Sequence, residues 1–386
     1  MIKNVPTDNP EFSLWWGYID ETYDPGILPE LMGRALKKRW YTLLQYNDSR
    51  WLPELREAVS RFVWQQYSLP AWPEDIIITN WSTASIDLVT RAILGWKYDA
   101  VAFEPIYDTA LEILKINSRQ LETVDYYPKT GDFSWDVLEE KLARESVQLL
   151  YLNPHFHNPT WCTLSLNQKR KILDLCVKYN VQILEDDPYW LYDFSGKSGN
   201  ELAQSSLRNL DHEGHTVTYV NSFSKIFFPW IRLGYMVGPR QTLDAVSHIQ
   251  KYTTSSANLL MQWTIIEALE AWKIHDTIEH YKNALAMKYS QTQAALAREW
   301  LNDFFDFTEW NGGFFIWWQT KEWLQINTDD LLSVTQTHGT SFIPWSKYFT
   351  SPDNQHLRLS YGQIKSENLE EAVGRFGKSV KSYLQT

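Results

Sequence analysis

Glycine is scarce in this chain. It makes up 16 of 386 residues, where the usual fraction of about 7% would give roughly 27. Cysteine is scarcer still. Cys162 and Cys176 are the only two, too few for a disulfide-stapled scaffold and suited to a reducing compartment. Positive charge is outweighed, and the net charge of −11 argues against nucleic acid as a partner. Long apolar runs are missing, so no membrane span is expected. The segment from Met1 to Asp8 lacks the apolar stretch of a signal peptide. Together these absences predict a cytoplasmic protein. The length suits one large domain with a smaller one. One residue is in excess: tryptophan occurs 20 times.

The middle of the chain alternates short apolar strands with amphipathic helices, which predicts an α/β fold with a mostly parallel central sheet. Strands are expected at Ile76–Thr79, Ala100–Glu104, Val147–Leu152, Val181–Glu185 and Thr216–Val220. Helices are expected near 85–94, 109–116 and 166–179. A long helix is expected from Met261 to Trp300, followed by a smaller α+β unit with strands at Gly312–Trp317 and Leu357–Tyr361. The division this suggests is a large domain over 45–275 and a discontinuous small domain over 1–44 and 276–386. Polar motifs fall at the C-terminal ends of the strands, where open α/β sheets bind ligands.

The densest of these motifs is Ser222-Phe223-Ser224-Lys225, with Arg232 seven residues beyond the lysine. It would suit a phosphorylated aldehyde cofactor: the lysine forms the imine, and hydroxyls with an arginine hold the phosphate. A pyridine-ring cofactor also needs a carboxylate at its ring nitrogen. Asp186 or Asp187, at a strand end, can supply it. Asn158 and Tyr189 can donate to the ring oxygen, and Tyr107 can stack on the ring. Ser82 and Thr83 open a helix whose free N–H groups suit phosphate. His155 and His157 flank Phe156 without the partner spacing of a metal site, so they read as loop residues.

This set resembles the fold type I aminotransferases, in particular the branch containing kynurenine and 2-aminoadipate aminotransferases. The resemblance covers nearly the whole chain and its motif order. Asn158-Pro159-Thr160 is similar to the family's Asn-Pro-Thr-Gly turn, and Glu185-Asp186-Asp187-Pro188-Tyr189 to its aspartate–tyrosine motif. The resemblance implies pyridoxal 5′-phosphate as cofactor, held by Lys225. It implies Asp186 at the ring nitrogen, Tyr189 and Asn158 at the ring oxygen, and Ser82, Thr83, Ser222, Ser224 and Arg232 around the phosphate. Tyr46 would reach the cofactor phosphate of a neighbouring subunit, which makes the expected assembly a homodimer. Arg358 would grip the substrate α-carboxylate, with Asn158 beside it, because a planar fork matches that group. The implied substrates are an amino-acid donor and a 2-oxo acid acceptor. A C–S β-lyase on the same fold shares these motifs. A regulator with an aminotransferase-like domain would need an N-terminal winged-helix module, whereas the resemblance here starts within the first fifty residues.

The chain departs from the family in one recurring way. The family has glycine where this chain has Trp51, Trp81, Trp161, Trp230 and Trp345, and often where it has Trp190. Trp16, Trp40, Trp96 and Trp318 are weaker cases. An indole in a turn built for glycine costs about 1–3 kcal/mol. Either the chain is a catalytically dead relative, or its gene is read with UGA as glycine, a reassignment known in some bacterial lineages. A decaying gene loses residues of every kind, yet the chemical side chains here are intact. The second reading therefore explains more.

Overall fold

The computed structural model describes residues 11–15, 17–19, 26–43, 52–194, 206–254, 258–307, 312–321, 323–324, 326–351 and 354–385. Its larger unit is built on an eight-stranded sheet. The strand order is Ile76–Thr79, Gly234–Val237, Val217–Ser222, Gln182–Asp186, Val147–Leu152, Asp99–Glu104, Leu121–Tyr127 and Asp132–Phe133. The five strands from Val217–Ser222 to Leu121–Tyr127 run parallel. Gly234–Val237 lies antiparallel between Ile76–Thr79 and Val217–Ser222.

The central strands are buried almost throughout because both faces are covered. Successive side chains divide between the two faces. Leu149, Leu184 and Val220 pack with Ile86 and Leu111 on one side. Leu150, Ile183 and Val217 pack with Ile172 and Cys176 on the other. The helix Leu166–Tyr179 shows how sequence sets its own ends. Ser165 and Gln168 form a capping box at its start, and Asn180 takes the left-handed conformation at its end.

The smaller unit is a four-stranded antiparallel sheet, ordered Phe305–Phe307, Phe315–Thr320, His356–Ser360 and Ile343–Pro344. Its aromatic core includes Phe305, Trp318 and Phe376. Both units match the expected α/β layers with an α+β companion. The described segments within residues 1–44 touch both units. Phe12–Ser13 pairs with Thr340–Ser341 in the smaller unit. The helix Ile27–Leu43 instead sends Leu31 and Ala35 into the core of the larger unit, beside Phe62 and Ile265.

The long helix expected over 261–300 is two helices, Leu259–Glu270 and Lys273–Arg298. They break at Trp272, whose φ is +59°, and a left-handed residue cannot continue a right-handed helix. The edge-side strand Leu121–Tyr127 escaped the sequence reading. Its residues are mostly only partly buried, so it lacks a continuous apolar run.

Candidate active site

The parallel strands end at a cavity of about 320 Å³. Ser82, Thr83, Tyr107, Asn158, Tyr189, Ser222, Ser224, Lys225, Arg232 and Arg358 all line it. Most arrive near the ends of structural elements, whereas Arg358 stands mid-strand in His356–Ser360 and Asn158 lies in a loop. Ser82 and Thr83 lie in the first turn of the helix Trp81–Ile93, whose preceding Asn80 provides no side-chain cap. The first N–H groups of that helix thus remain open to an anion. Tyr107 caps the helix Asp108–Asn117. Ser222 ends a strand, and its Oγ accepts from the Ser224 backbone N–H at 3.1 Å. Gly234 lets two segments close behind this wall. A Cβ there would sit 2.8 Å from the Trp81 carbonyl carbon and 2.9 Å from the Asn221 oxygen.

Lys225 is half-buried at the centre. Its Nζ donates to the Gly17 carbonyl at 2.5 Å and lies 5.7 Å from the centre of the Tyr189 ring. Burial pushes its ammonium down to about 8; Arg358 and Arg232 add to the fall, and Asp186 opposes it. Arg358 is fixed from several sides. It donates to Asn158 Oδ1 at 2.7 Å and to the Trp15 carbonyl at 2.9 Å. Its guanidinium carbon stands 3.8 Å from the centre of the Phe315 ring.

Asp186 sits behind the cavity wall at the end of its strand. Its Oδ2 accepts from the Tyr151 hydroxyl at 2.9 Å. Its Oδ1 is buried with no hydrogen-bond partner among the described residues. Burial pushes this carboxyl up to about 7, against the Tyr151 hydrogen bond and the charge of Lys225. Asp187 is committed elsewhere. Its Oδ2 meets His155 Nδ1 at 2.9 Å, and His155 Nε2 meets Lys169 Nζ at 2.7 Å. Local chemistry alone left the two aspartates open, the family resemblance pointed to Asp186, and His155 read as a loop residue. The ties of His155 to Lys169 and Asp187 span 14 and 32 residues, so no local pattern announced this buried chain. Tyr46 lies outside the described residues, as do Trp16 and Trp51.

The raised Asp186 carboxyl gives the cofactor-free protein a definite pH response. Between pH 3.8 and about 7 the folded state holds a proton that the unfolded chain has released. The group's contribution to stability must then fall as pH rises through that window, by at most about 1.4 kcal/mol per pH unit. Across pH 4–7 the urea midpoint of the apo parent is expected to fall relative to that of Asp186→Asn, while the buried imidazoles of His155 and His157, held below their usual range, add an opposite slope common to both proteins. An equal slope in the variant would contradict this.

The cavity fits a phosphorylated pyridine aldehyde. It presents a half-buried lysine and an arginine beside a helix start, and behind its wall lies a buried carboxylate oxygen with no partner among the described residues. One neighbour crowds the fit: the Arg232 guanidinium carbon stacks 3.6 Å from the centre of the Trp81 ring. The family model for aminotransferase class I and II matches residues 22–376. The chain belongs to this family. It is 25% identical over 375 residues to an aromatic-amino-acid aminotransferase of Thermococcus litoralis, covering 95% of this chain and 86% of the relative. It is 26% identical over 358 residues to a 2-aminoadipate transaminase of Thermus thermophilus, covering 92% and 86%. In fold it is similar to a Pyrococcus horikoshii kynurenine aminotransferase solved with PMP, at a TM-score of 0.86 and 23% identity, covering 98% and 93%. The enzyme's class is therefore amino-group transfer, and its cofactor is pyridoxal 5′-phosphate.

Proposed function

We propose that this aminotransferase moves the amino group of an aromatic or large apolar amino acid to a 2-oxo acid, with Lys225 as its catalytic residue. The observation that carries this reading is the convergence of Lys225, Asn158, Tyr189, Arg232 and Arg358 on one cavity. The apolar wall formed by Trp15, Tyr18, Phe315 and Ile343 supports the side-chain preference. Pyridoxal 5′-phosphate, when bound, supplies an electron sink that makes the substrate Cα–H acidic. The chain's residues do the rest. Lys225 would hold the cofactor, and its amine is placed to take and return the substrate Cα proton. A lysine poised near pH 8 is suited to both tasks. Asp186, fixed by Tyr151, would pair with the ring nitrogen. Tyr107 would stack on the ring, and Tyr189 with Asn158 would donate to its oxygen. Ser82, Thr83, Ser222, Ser224 and Arg232 would hold the phosphate. Arg358, steadied by Asn158, orients the carboxylate.

A donor screen with 2-oxo acid acceptors tests the reading. Tyrosine, phenylalanine or leucine should give oxo-acid-dependent turnover. Turnover independent of any oxo acid would indicate a lyase instead.

The same reading includes a homodimer, with Tyr46 reaching the partner's phosphate. Leu36 and Tyr41 support it, since the helix Ile27–Leu43 exposes them to solvent. Light scattering on eluted protein should give twice the chain mass; a monomer at micromolar concentration would refute the assembly. The domain division follows the two sheets, with the helix Ile27–Leu43 riding on the larger. The unpaired thiols of Cys162 and Cys176 support a cytoplasmic setting, which cell fractionation checks.

A further inference from the structure

Nine non-glycine residues have a left-handed backbone among the described residues. They are Ser68, Trp81, Trp96, Phe156, Trp161, Asn180, Arg232, Trp272 and Trp300. Five of the nine are tryptophan. With 20 tryptophans in 386 residues, chance would place fewer than one there. In this conformation a Cβ crowds the following carbonyl, so glycine is the default occupant and a bulky side chain is an outlier.

The five positions also have the surroundings of glycine sites. Trp272 and Trp300 follow the C-caps of Leu259–Glu270 and Lys273–Arg298, with φ of +59° at each. That place after a helix is the commonest site for a terminating glycine. Trp96, at φ +61°, follows Gly95 at the end of another helix. These three indoles project into solvent, with 57–68% of each residue exposed. Burial thus contributes little to offset their backbone strain. Trp161 turns at φ +65°, and its ring is pressed against a glycine. A Cβ on Gly313 would fall 1.5 Å from the Trp161 ring. Trp81, at φ +70°, covers the guanidinium of Arg232.

Trp317 is the contrast. It lies in a regular strand, buried to 2% exposure and stacked 5.6 Å from His356. Its backbone and packing both suit an indole.

We infer that positions 81, 96, 161, 272 and 300 carry glycine in the protein its host makes, and that the residue at 81 thereby opens the anion cradle between Arg232 and the start of the helix Trp81–Ile93. The set differs from the one that motif comparison suggests. It adds Trp272 and Trp300 and makes Trp96 a full member. Trp190 and Trp230 have no left-handed backbone, and their φ angles neither require nor exclude glycine. The residue assignment does not depend on the aminotransferase reading, because it rests on φ angles and contacts.

Gene sequence and protein chemistry test it separately. UGA is expected at the five codons and UGG at Trp317; UGG at the five overturns the inference. In recombinant protein made with the sequence as written, the triple variant Trp96→Gly, Trp272→Gly and Trp300→Gly should melt several degrees higher. An unchanged or lower midpoint counts against the backbone argument even if activity is never found. Trp81→Gly should bind inorganic phosphate several-fold more tightly by calorimetry. Equal or weaker phosphate binding removes the cradle from the proposal.

Discussion

Lys225→Ala is expected to abolish measurable transamination while leaving the fold intact. The loss of proton transfer alone removes roughly 10²–10⁴-fold, and the loss of the covalent hold on the cofactor adds to it. The side chain is half-buried, with Nζ donating to the Gly17 carbonyl at 2.5 Å. Its truncation removes a partly desolvated charge that is costly to keep, so the melting temperature should not collapse. Because the phosphate is held by other residues, Lys225→Ala should still bind the cofactor non-covalently, as equilibrium dialysis can show. Activity within tenfold of the parent would exclude Lys225 from the chemistry.

Arg358→Ala should lower kcat/KM for α-amino acids by a large factor. A buried cation that pairs with a substrate carboxylate is worth about 2–5 kcal/mol when truncated, or roughly 30- to several-thousand-fold at about 1.4 kcal/mol per decade. The group is pre-organised: Asn158 Oδ1 and the Trp15 carbonyl accept from its two terminal nitrogens, and Phe315 supports its face. Its Nε is buried without a partner among the described residues. If carboxylate binding is equally strong in ground and transition states, the loss appears in KM. Arg358→Lys should recover little, since an ammonium cannot reproduce a planar fork. A control amine lacking the carboxylate should be insensitive to both changes. Equal losses for the control would give Arg358 a structural role instead.

The site was legible because its chemistry sits in short motifs at strand ends. Ser222, Ser224, Lys225 and Arg232 fall within eleven residues, and the structure places all four on one cavity wall. The core strands were legible for a related reason. Val147–Leu152 is covered on both faces, so its apolar run is nearly continuous. What stayed hidden depends on distant partners. Asp186 and Asp187 look alike in sequence, and only Tyr151 and His155 set them apart. The break between Leu259–Glu270 and Lys273–Arg298 was hidden for another reason. The written residue at 272 is tryptophan, which carries no helix-stop signal, whereas the backbone there has the conformation of one.

The central claim is that Lys225 carries the cofactor, and one measurement reaches it directly. Protein loaded with pyridoxal 5′-phosphate is reduced with borohydride, digested and mapped by mass. The account predicts one cofactor-bearing peptide, the one that contains Lys225. A cofactor fixed on another lysine such as Lys169 or Lys288, or on none, would contradict it.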